Sequence, residues 1–257
     1  MKKLLTTLKL KWTEYLLEIL VIMIGILGAY ALNNWNENRK ERIQETAILL
    51  QLQTEFKSNL TQLDERIEIR RLMINSAVRL LENIDRPQQR NKDSIDHHIA
   101  WTIPYTTFDP IVNDLSSSGN LRIIKSDSLK QLLSFWTSEI VQVTEGEGSW
   151  TKYRNEVYVP FLIENYQFRT LRNKSMKTNL MKAFLINQEE RSSTYRIVDI
   201  GETKHEEDFN HLLSLPDYED HLVRCIVMNR NTQHQAYILR ERIVGILELL
   251  ESELSNQ

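Results

Sequence analysis

The sequence predicts an all-α protein in which a single N-terminal transmembrane helix continues into an elongated antiparallel helical bundle. Three observations predict this fold. The 257 residues include only 7 Gly and 5 Pro, which favours long uninterrupted helices over a sheet rich in turns. Residues 19–32 are all apolar or small. Further along, apolar residues recur at alternating three- and four-residue steps, a spacing typical of helices that pack in bundles.

The apolar segment near the N-terminus is the strongest local signal. Extended back to Tyr15, it covers residues 15–32, and a helix that crosses a bilayer needs roughly 17–25 residues. Trp12 and Trp35 flank it where an interfacial aromatic belt would lie. Membrane lipid is therefore the partner expected for this segment. The chain divides into a tail at 1–14, a transmembrane helix at 15–32 and a helical-bundle domain at 33–257.

Flanking charge predicts the orientation. Four lysines precede the apolar segment and three basic residues, Arg39, Lys40 and Arg42, follow it closely. The small excess favours a cytoplasmic N-terminus and an extracytoplasmic bundle domain. A cleaved signal peptide is the alternative, because Ala29 and Ala31 fit a small-x-small cleavage pattern. The long stretch before the apolar run, with its tryptophan and glutamates, favours an uncleaved anchor.

Three long helices are expected after the membrane segment. The first runs from Asn33 to about Ile84, and Arg70 interrupts its apolar stripe. The second follows an N-cap at Ser126 and is interrupted by two glycines, Gly146 and Gly148. Its stripe repeats every seven residues at Leu129, Trp136, Val143, Trp150 and Val157. The third runs from Pro216 to about Leu254, and its polar middle, residues 229–235, is either exposed or buries a polar layer.

Two short motifs resemble a known family. Residues 33–37 read Asn-Asn-Trp-Asn-Glu directly after the apolar run, and residues 117–121 read Ser-Ser-Gly-Asn-Leu before a helix. They resemble an uncharacterised family of single-pass membrane proteins from Bacteroidota, a domain-of-unknown-function group. The resemblance implies an anchor in the bacterial inner membrane and a periplasmic helical domain. It implies no activity and no functional residues.

The candidate contact residues fall into a membrane group and a bundle group. The membrane group is Gly25 and Ala29, which are four residues apart and would let a second transmembrane helix approach closely. In the bundle, an irregular stretch bounded by prolines offers bulky side chains, and a following segment could present backbone N–H groups to an anion or simply cap a helix. The bundle candidates are Tyr105, Phe108, Ser117, Ser118, Gly119 and Asn120.

No catalytic or cofactor signature is present in the sequence. It contains no phosphate-binding loop, zinc-protease motif, nucleophile elbow or dinucleotide fingerprint, so we expect no cofactor and no catalytic residues. The one cysteine, Cys225, excludes an internal disulfide and a multi-cysteine metal site. His221 lies four residues before it, and residues 199–221 are rich in His and carboxylates. Neither feature matches a template, so we predict a buried apolar thiol, a solvated acidic loop and no metal.

These observations predict an interaction or scaffold protein, a subunit or regulator of an envelope complex. Its partner would be another envelope protein, a second copy of the chain, or both. The alternative is a sensory ligand-binding module without its own output domain, because only about 14 residues precede the membrane segment. An enzyme is the third hypothesis. The net charge of −3 argues against nucleic acid as a partner.

Overall fold

The computed structural model describes residues 2–111, 120–177, 200–201, 203–205 and 208–255. Every regular element in these ranges is helical, which confirms the predicted all-α class. Short 3-10 turns lie at Pro87–Gln89 and Asn120–Arg122, and a π-helical turn lies at Arg154–Tyr158. The α-helices are α1 (Lys2–Asp85), α2 (Lys92–Thr102), α3 (Asp127–Tyr153), α4 (Val159–Asn165), α5 (Phe168–Lys177), α6 (Phe209–Ser214) and α7 (Pro216–Ser255).

Helix α1 joins the apolar segment to the bundle without a break over 84 residues. Its apolar window has a mean hydropathy of 2.1 and none of it is buried, so this helix is long and apolar enough to cross a membrane. The side chains of residues 16–44 are exposed, and Glu45 is the first buried residue after them. We call residues 33–44 the stalk. At about 1.5 Å per residue, the stalk is roughly 18 Å long.

The bundle is built from the C-terminal half of α1 together with α3 and α7. Helix α7 runs antiparallel to α1, because Arg240 pairs with Asp64 at 2.6 Å while Gln233 reaches the carbonyl of Ile67 at 3.1 Å. Helix α3 runs parallel to α1. The rings of Phe56 and Trp136 lie 4.9 Å apart near one end, and Arg70 and Glu147 meet further along both helices. The parallel pairing arises because the chain returns along α1 before α3 begins.

The core consists of two apolar clusters separated along the bundle axis. The proximal cluster, nearer the apolar segment, includes Leu49, Phe56, Leu63, Leu133, Trp136, Val143, Leu239, Ile243 and Leu250. The distal cluster includes Met73, Leu80, Ile95, Trp150, Tyr158, Leu162, Leu213, Leu222 and Cys225. Trp136 and Trp150 are therefore core residues, as their seven-residue spacing predicts. Buried polar residues of α1, α3 and α7 lie between the clusters.

Two details of α3 differ from the sequence prediction. The glycines do not interrupt the helix, and a Cβ on Gly146 would lie 2.5 Å from the hydroxyl of Thr232, so glycine permits α3 and α7 to approach closely here. Val157 does not continue the buried stripe, since it is 42% exposed while Tyr158 is buried. The π turn at this point inserts an extra residue, which moves the following side chains around the helix by one position.

Candidate functional site

A buried ion pair lies at the centre of the bundle. The Arg70 side chain is fully buried, and its Nη1 donates to Glu147 Oε1 at 2.6 Å and to the Thr106 hydroxyl at 2.9 Å. Its Nε donates to Gln233 Oε1 at 3.1 Å. Burial lowers the pKa of Arg70, and the carboxylate of Glu147 opposes that shift. In the described part of the chain, the buried Nη2 of Arg70 has no hydrogen-bond partner.

The same layer connects four segments of the chain. Glu147 accepts a second bond at 2.6 Å from the backbone N–H of Phe108, and Gln233 donates to the carbonyl of Ile67 at 3.1 Å. Helices α1, α3 and α7 and the segment before α3 therefore meet in one hydrogen-bonded group, the polar layer of Arg70, Thr106, Glu147 and Gln233. Sliding α1 or α3 by a turn would separate the buried charges, and sliding α7 would remove Gln233 from Arg70, so this layer favours one register of the bundle.

An extended segment, residues 104–111, runs back along α1, and we call it the strap. Amide side chains of α1 hold its backbone as a neighbouring strand would. Asn59 exchanges two hydrogen bonds with Ile111, at 2.8 and 3.0 Å, and Gln62 exchanges two with Asp109, at 2.8 and 3.1 Å. Arg66 donates to the carbonyl of Thr107, two residues before Asp109, at 3.0 Å. The strap is thus tied to one face of the bundle.

A cleft of about 440 Å³ opens between the strap and α3, directly beside the polar layer. We call it the strap–α3 cleft. Its less exposed lining residues, which form the inner wall, are Thr106, Thr144, Thr151 and the buried Glu147. No atom lies within 4 Å of the position that a Cβ on Gly148 would take, so this glycine keeps the cleft open. Its volume falls in the range of small-molecule sites, roughly 300–1,000 Å³.

The mouth of the cleft is charged. It contains Lys152 from the last turn of α3 and Asn155 and Glu156 from the π turn, all three of them exposed. The π turn also contributes Arg154, whose Nε donates to the carbonyl of Ile103 at 2.6 Å just before the strap. Single π turns inside helices occur frequently at functional sites. The cleft therefore has three threonines in its interior and an entrance of mixed charge.

Polar side chains also meet inside the distal cluster. The Tyr158 and Thr102 hydroxyls lie 2.6 Å apart, and the Tyr153 hydroxyl lies 2.6 Å from Nδ1 of His221. Cys225 is buried and accepts from the Asn229 amide at 3.7 Å. Burial raises the pKa of the Cys225 thiol to about 12, so the thiol stays protonated near neutral pH. Cys225 is therefore buried, as the sequence predicts.

The structure places the predicted contact residues in different environments. Gly25 and Ala29 lie on the exposed apolar part of α1, with no atom within 4 Å of a Cβ built on Gly25. On the strap, Tyr105 is 37% exposed, with the guanidinium of Arg154 5.3 Å from its ring centre. Phe108 is 2% exposed and packs in the proximal cluster, so its ring offers no surface to a partner in this conformation.

The Ser-Ser-Gly-Asn-Leu motif is described only in part. Ser117, Ser118 and Gly119 lie outside the described residues, and Asn120 begins the 3-10 turn that precedes α3. The acidic stretch at 199–221 is likewise described in part. Among the described residues, no three His, Cys, Asp or Glu side chains are grouped as a metal site requires. The anion-binding hypothesis for the motif stays a prediction.

The sequence contains a signal for the polar layer that the prediction from the apolar stripes did not use. Arg70 interrupts the apolar stripe of α1, and Glu147 takes a stripe position in α3 between Val143 and Trp150. Opposite charges on the buried stripes of two helices indicate a buried pair. The polar middle of α7 buries Asn229, Thr232 and Gln233, and Gln233 belongs to the polar layer.

Comparison with known proteins gives one match. Residues 18–130 match the model of a family described as a family of unknown function, DUF6090. The match begins in the apolar segment of α1 and ends in the first turn of α3, so it includes the stalk, α2 and the strap. It confirms the resemblance of this part of the chain to an uncharacterised family. No curated protein and no solved structure matches the chain.

Proposed function

We propose that this protein is a membrane-anchored interaction protein, a subunit or regulator of a bacterial envelope complex. Residues 1–14 lie in the cytoplasm, residues 15–32 cross the inner membrane, and residues 33–257 form a periplasmic bundle domain. The observation that carries the proposal is the continuity of α1 from an exposed apolar segment, through an exposed stalk, into the bundle core. The same helix therefore forms the membrane anchor and part of the bundle.

The stalk supports a role in which the protein presents its bundle to a partner. Its roughly 18 Å exceed the headgroup layer on one side of a bilayer, which is about 5–8 Å thick, so the bundle is held clear of the lipid surface. The side chains of α3 and α7 then remain accessible to another envelope protein. A rigid helical connection also fixes the height at which the bundle meets that partner.

Cysteine labelling in intact spheroplasts tests the topology. A membrane-impermeant maleimide should label a Lys57→Cys variant at once, because Lys57 is exposed in the bundle part of α1. A Thr6→Cys variant should react only after the membrane is permeabilised. The native Cys225 is buried and serves as the internal negative control. The reverse labelling pattern would overturn the orientation, and a mature chain beginning after Ala31 would overturn the anchor.

Purification in mild detergent at native expression level tests the partner. The proposal predicts a second envelope protein in stoichiometric amount, or a defined oligomer of this chain. If Gly25 and Ala29 contact a neighbouring helix, Gly25→Leu should disrupt that association. Leu27→Phe adds bulk on the opposite face of α1 and is the matched control. A bare monomer in both detergent and chemically cross-linked membranes would refute the interaction role.

A sensory module is the second candidate function, and the strap–α3 cleft favours it. The cleft borders Thr106 and Glu147, and both of these contact Arg70 on α1. A ligand in the cleft would therefore act on the helix that continues into the membrane. A small shift of α1 would carry that signal to a partner protein.

A further inference from the structure

We propose that the strap–α3 cleft binds a short peptide with free termini, through both its ammonium and its carboxylate groups. The proposal concerns the bundle domain alone. It depends neither on the membrane topology nor on the protein partner, so failure of the binding test and failure of the proposed function are separate results.

The inner wall of the cleft accepts hydrogen bonds. The hydroxyl of Thr144 donates to the carbonyls of Ile140 and Val141, at 3.2 and 3.1 Å, and that of Thr151 donates to the carbonyl of Glu147 at 2.8 Å. A hydroxyl has a single proton, so the lone pairs of both oxygens remain for a ligand. These acceptors favour a ligand that carries an N–H donor between its charged ends, as the amide of a peptide does.

The mouth of the cleft contains both signs of charge. Lys152 supplies three N–H donors for a carboxylate, and Glu156 supplies a carboxylate for an ammonium. The oxygen of the Asn155 side chain accepts from Arg154, which leaves the amide N–H groups of Asn155 as donors toward an anion. A neutral sugar would use neither charge.

The dimensions suit a peptide of about two residues. Lys152 and Glu156 are one helical turn apart, a rise of roughly 6 Å at 1.5 Å per residue. Two extended residues span at most about 7 Å. The termini of a dipeptide can therefore reach both charges at once. The cleft volume of about 440 Å³ leaves room for its side chains.

The polar layer gives binding a route to the bundle core. Thr106 lines the cleft, and its hydroxyl accepts from Arg70 at 2.9 Å. Arg70 is fully buried, and its Nη2 has no hydrogen-bond partner among the described residues. A ligand that competes for the Thr106 hydroxyl changes the hydrogen bonding of a buried cation in α1.

Isothermal titration calorimetry on the full chain in detergent tests the proposal with defined probes. Dialanine and diserine are the test ligands, and N-acetyl-dialanine, dialanine amide and glucose are the comparisons. We expect at least one free dipeptide to bind with a dissociation constant below about 1 mM. Blocking either terminus should weaken binding at least 10-fold. Binding of neither dipeptide, equal binding of the blocked forms, or binding of glucose alone would overturn the proposal.

Variants test which cleft residue binds each charged terminus of the peptide. Lys152→Gln should abolish discrimination against dialanine amide, and Glu156→Gln should abolish discrimination against N-acetyl-dialanine. Gly148→Leu fills open space in the cleft and should remove binding. Ser149→Leu places the same side chain at the next, exposed position of α3 and should bind normally. Equal binding by the two leucine variants would place the ligand elsewhere. The blocked peptides test the unmodified chain, so the result does not depend on any variant folding.

Discussion

Replacing Glu147 with glutamine removes the negative charge from the polar layer while preserving the size of the side chain. The Arg70 guanidinium then remains fully buried without a counter-charge. The glutamine side chain also loses a hydrogen bond, because an NH2 donor replaces one of the two oxygen acceptors of Glu147. If the oxygen stays on Arg70, an N–H group faces the backbone N–H of Phe108, which now donates to Glu147 at 2.6 Å.

The expected cost is large. Removing one partner of a buried ion pair costs about 3–5 kcal/mol, because an uncompensated charge is left in a low-dielectric interior. That is a large share of the 5–15 kcal/mol by which a typical domain is stable. With a urea dependence of about 1–3 kcal/mol per molar, the unfolding midpoint should fall by roughly 1–5 M.

Urea unfolding of the full chain in a mild detergent, followed by far-UV circular dichroism, measures this loss. Glu145→Gln is the matched control, because this carboxylate lies two residues away on the exposed side of α3, where substitutions change stability by about 0.5 kcal/mol or less. The double variant Arg70→Met with Glu147→Gln should recover part of the loss, since it removes the stranded charge. A loss no greater than that of the control would refute the buried pair.

Three further outcomes follow from the packing. Gly146→Ala should destabilise the bundle by about 1–3 kcal/mol relative to Gly148→Ala in urea unfolding, because the two changes share the same gain in helix propensity but only the first places a Cβ 2.5 Å from the hydroxyl of Thr232. Burial lowers the pKa of His221 from its usual 6.5. As the pH falls, the unfolded chain therefore binds a proton at this histidine before the folded chain does. The neutral, buried His221 contributes its full share of stability above pH 6.5, and that share is lost as the pH falls below it. His221→Gln should therefore reduce the loss of stability between about pH 7.5 and about pH 5.5. Cys225, whose pKa is raised to about 12, should resist iodoacetamide in the native protein and react fully in urea, as intact mass would report.

The helical class and the main helices followed from local pattern. Trp136 and Trp150 are buried because the seven-residue repeat places them on one face of α3, and that repeat can be read from the sequence alone. The apolar segment is equally local, since length and hydropathy define it. Local periodicity therefore predicts which residues form helices and which face of each helix is buried.

Features set by packing between helices were not predictable in this way. The π turn moves the buried position from Val157 to Tyr158, and the local repeat gives no sign of the inserted residue. Gly146 was interpreted as a weak point of α3, although it is the site of closest approach to α7. Each depends on a partner helix that lies far away in the sequence.

The sequence identified the region that forms the candidate site but not the particular residues that line it. The irregular stretch around Tyr105 and Phe108 is the strap that borders the cleft, but the groups that face the cleft are Thr106 and its neighbour Thr107. Arg70 and Glu147 are 77 residues apart, so their pairing required knowledge of the parallel packing of α1 and α3. Only the sign of each charge and its place on a stripe were available from the sequence.

The distance between spin labels at residues 24 and 57 of α1 tests the central claim most directly. The positions are Ile24 in the apolar segment and Lys57 in the bundle, both exposed, and each is changed to cysteine in a Cys225→Ser background in lipid nanodiscs. A continuous helix of 33 residues between them at about 1.5 Å each predicts a narrow distribution near 50 Å. A broad distribution, or a mean below about 40 Å, would show that the stalk bends or unwinds and would contradict a bundle rigidly joined to its membrane anchor.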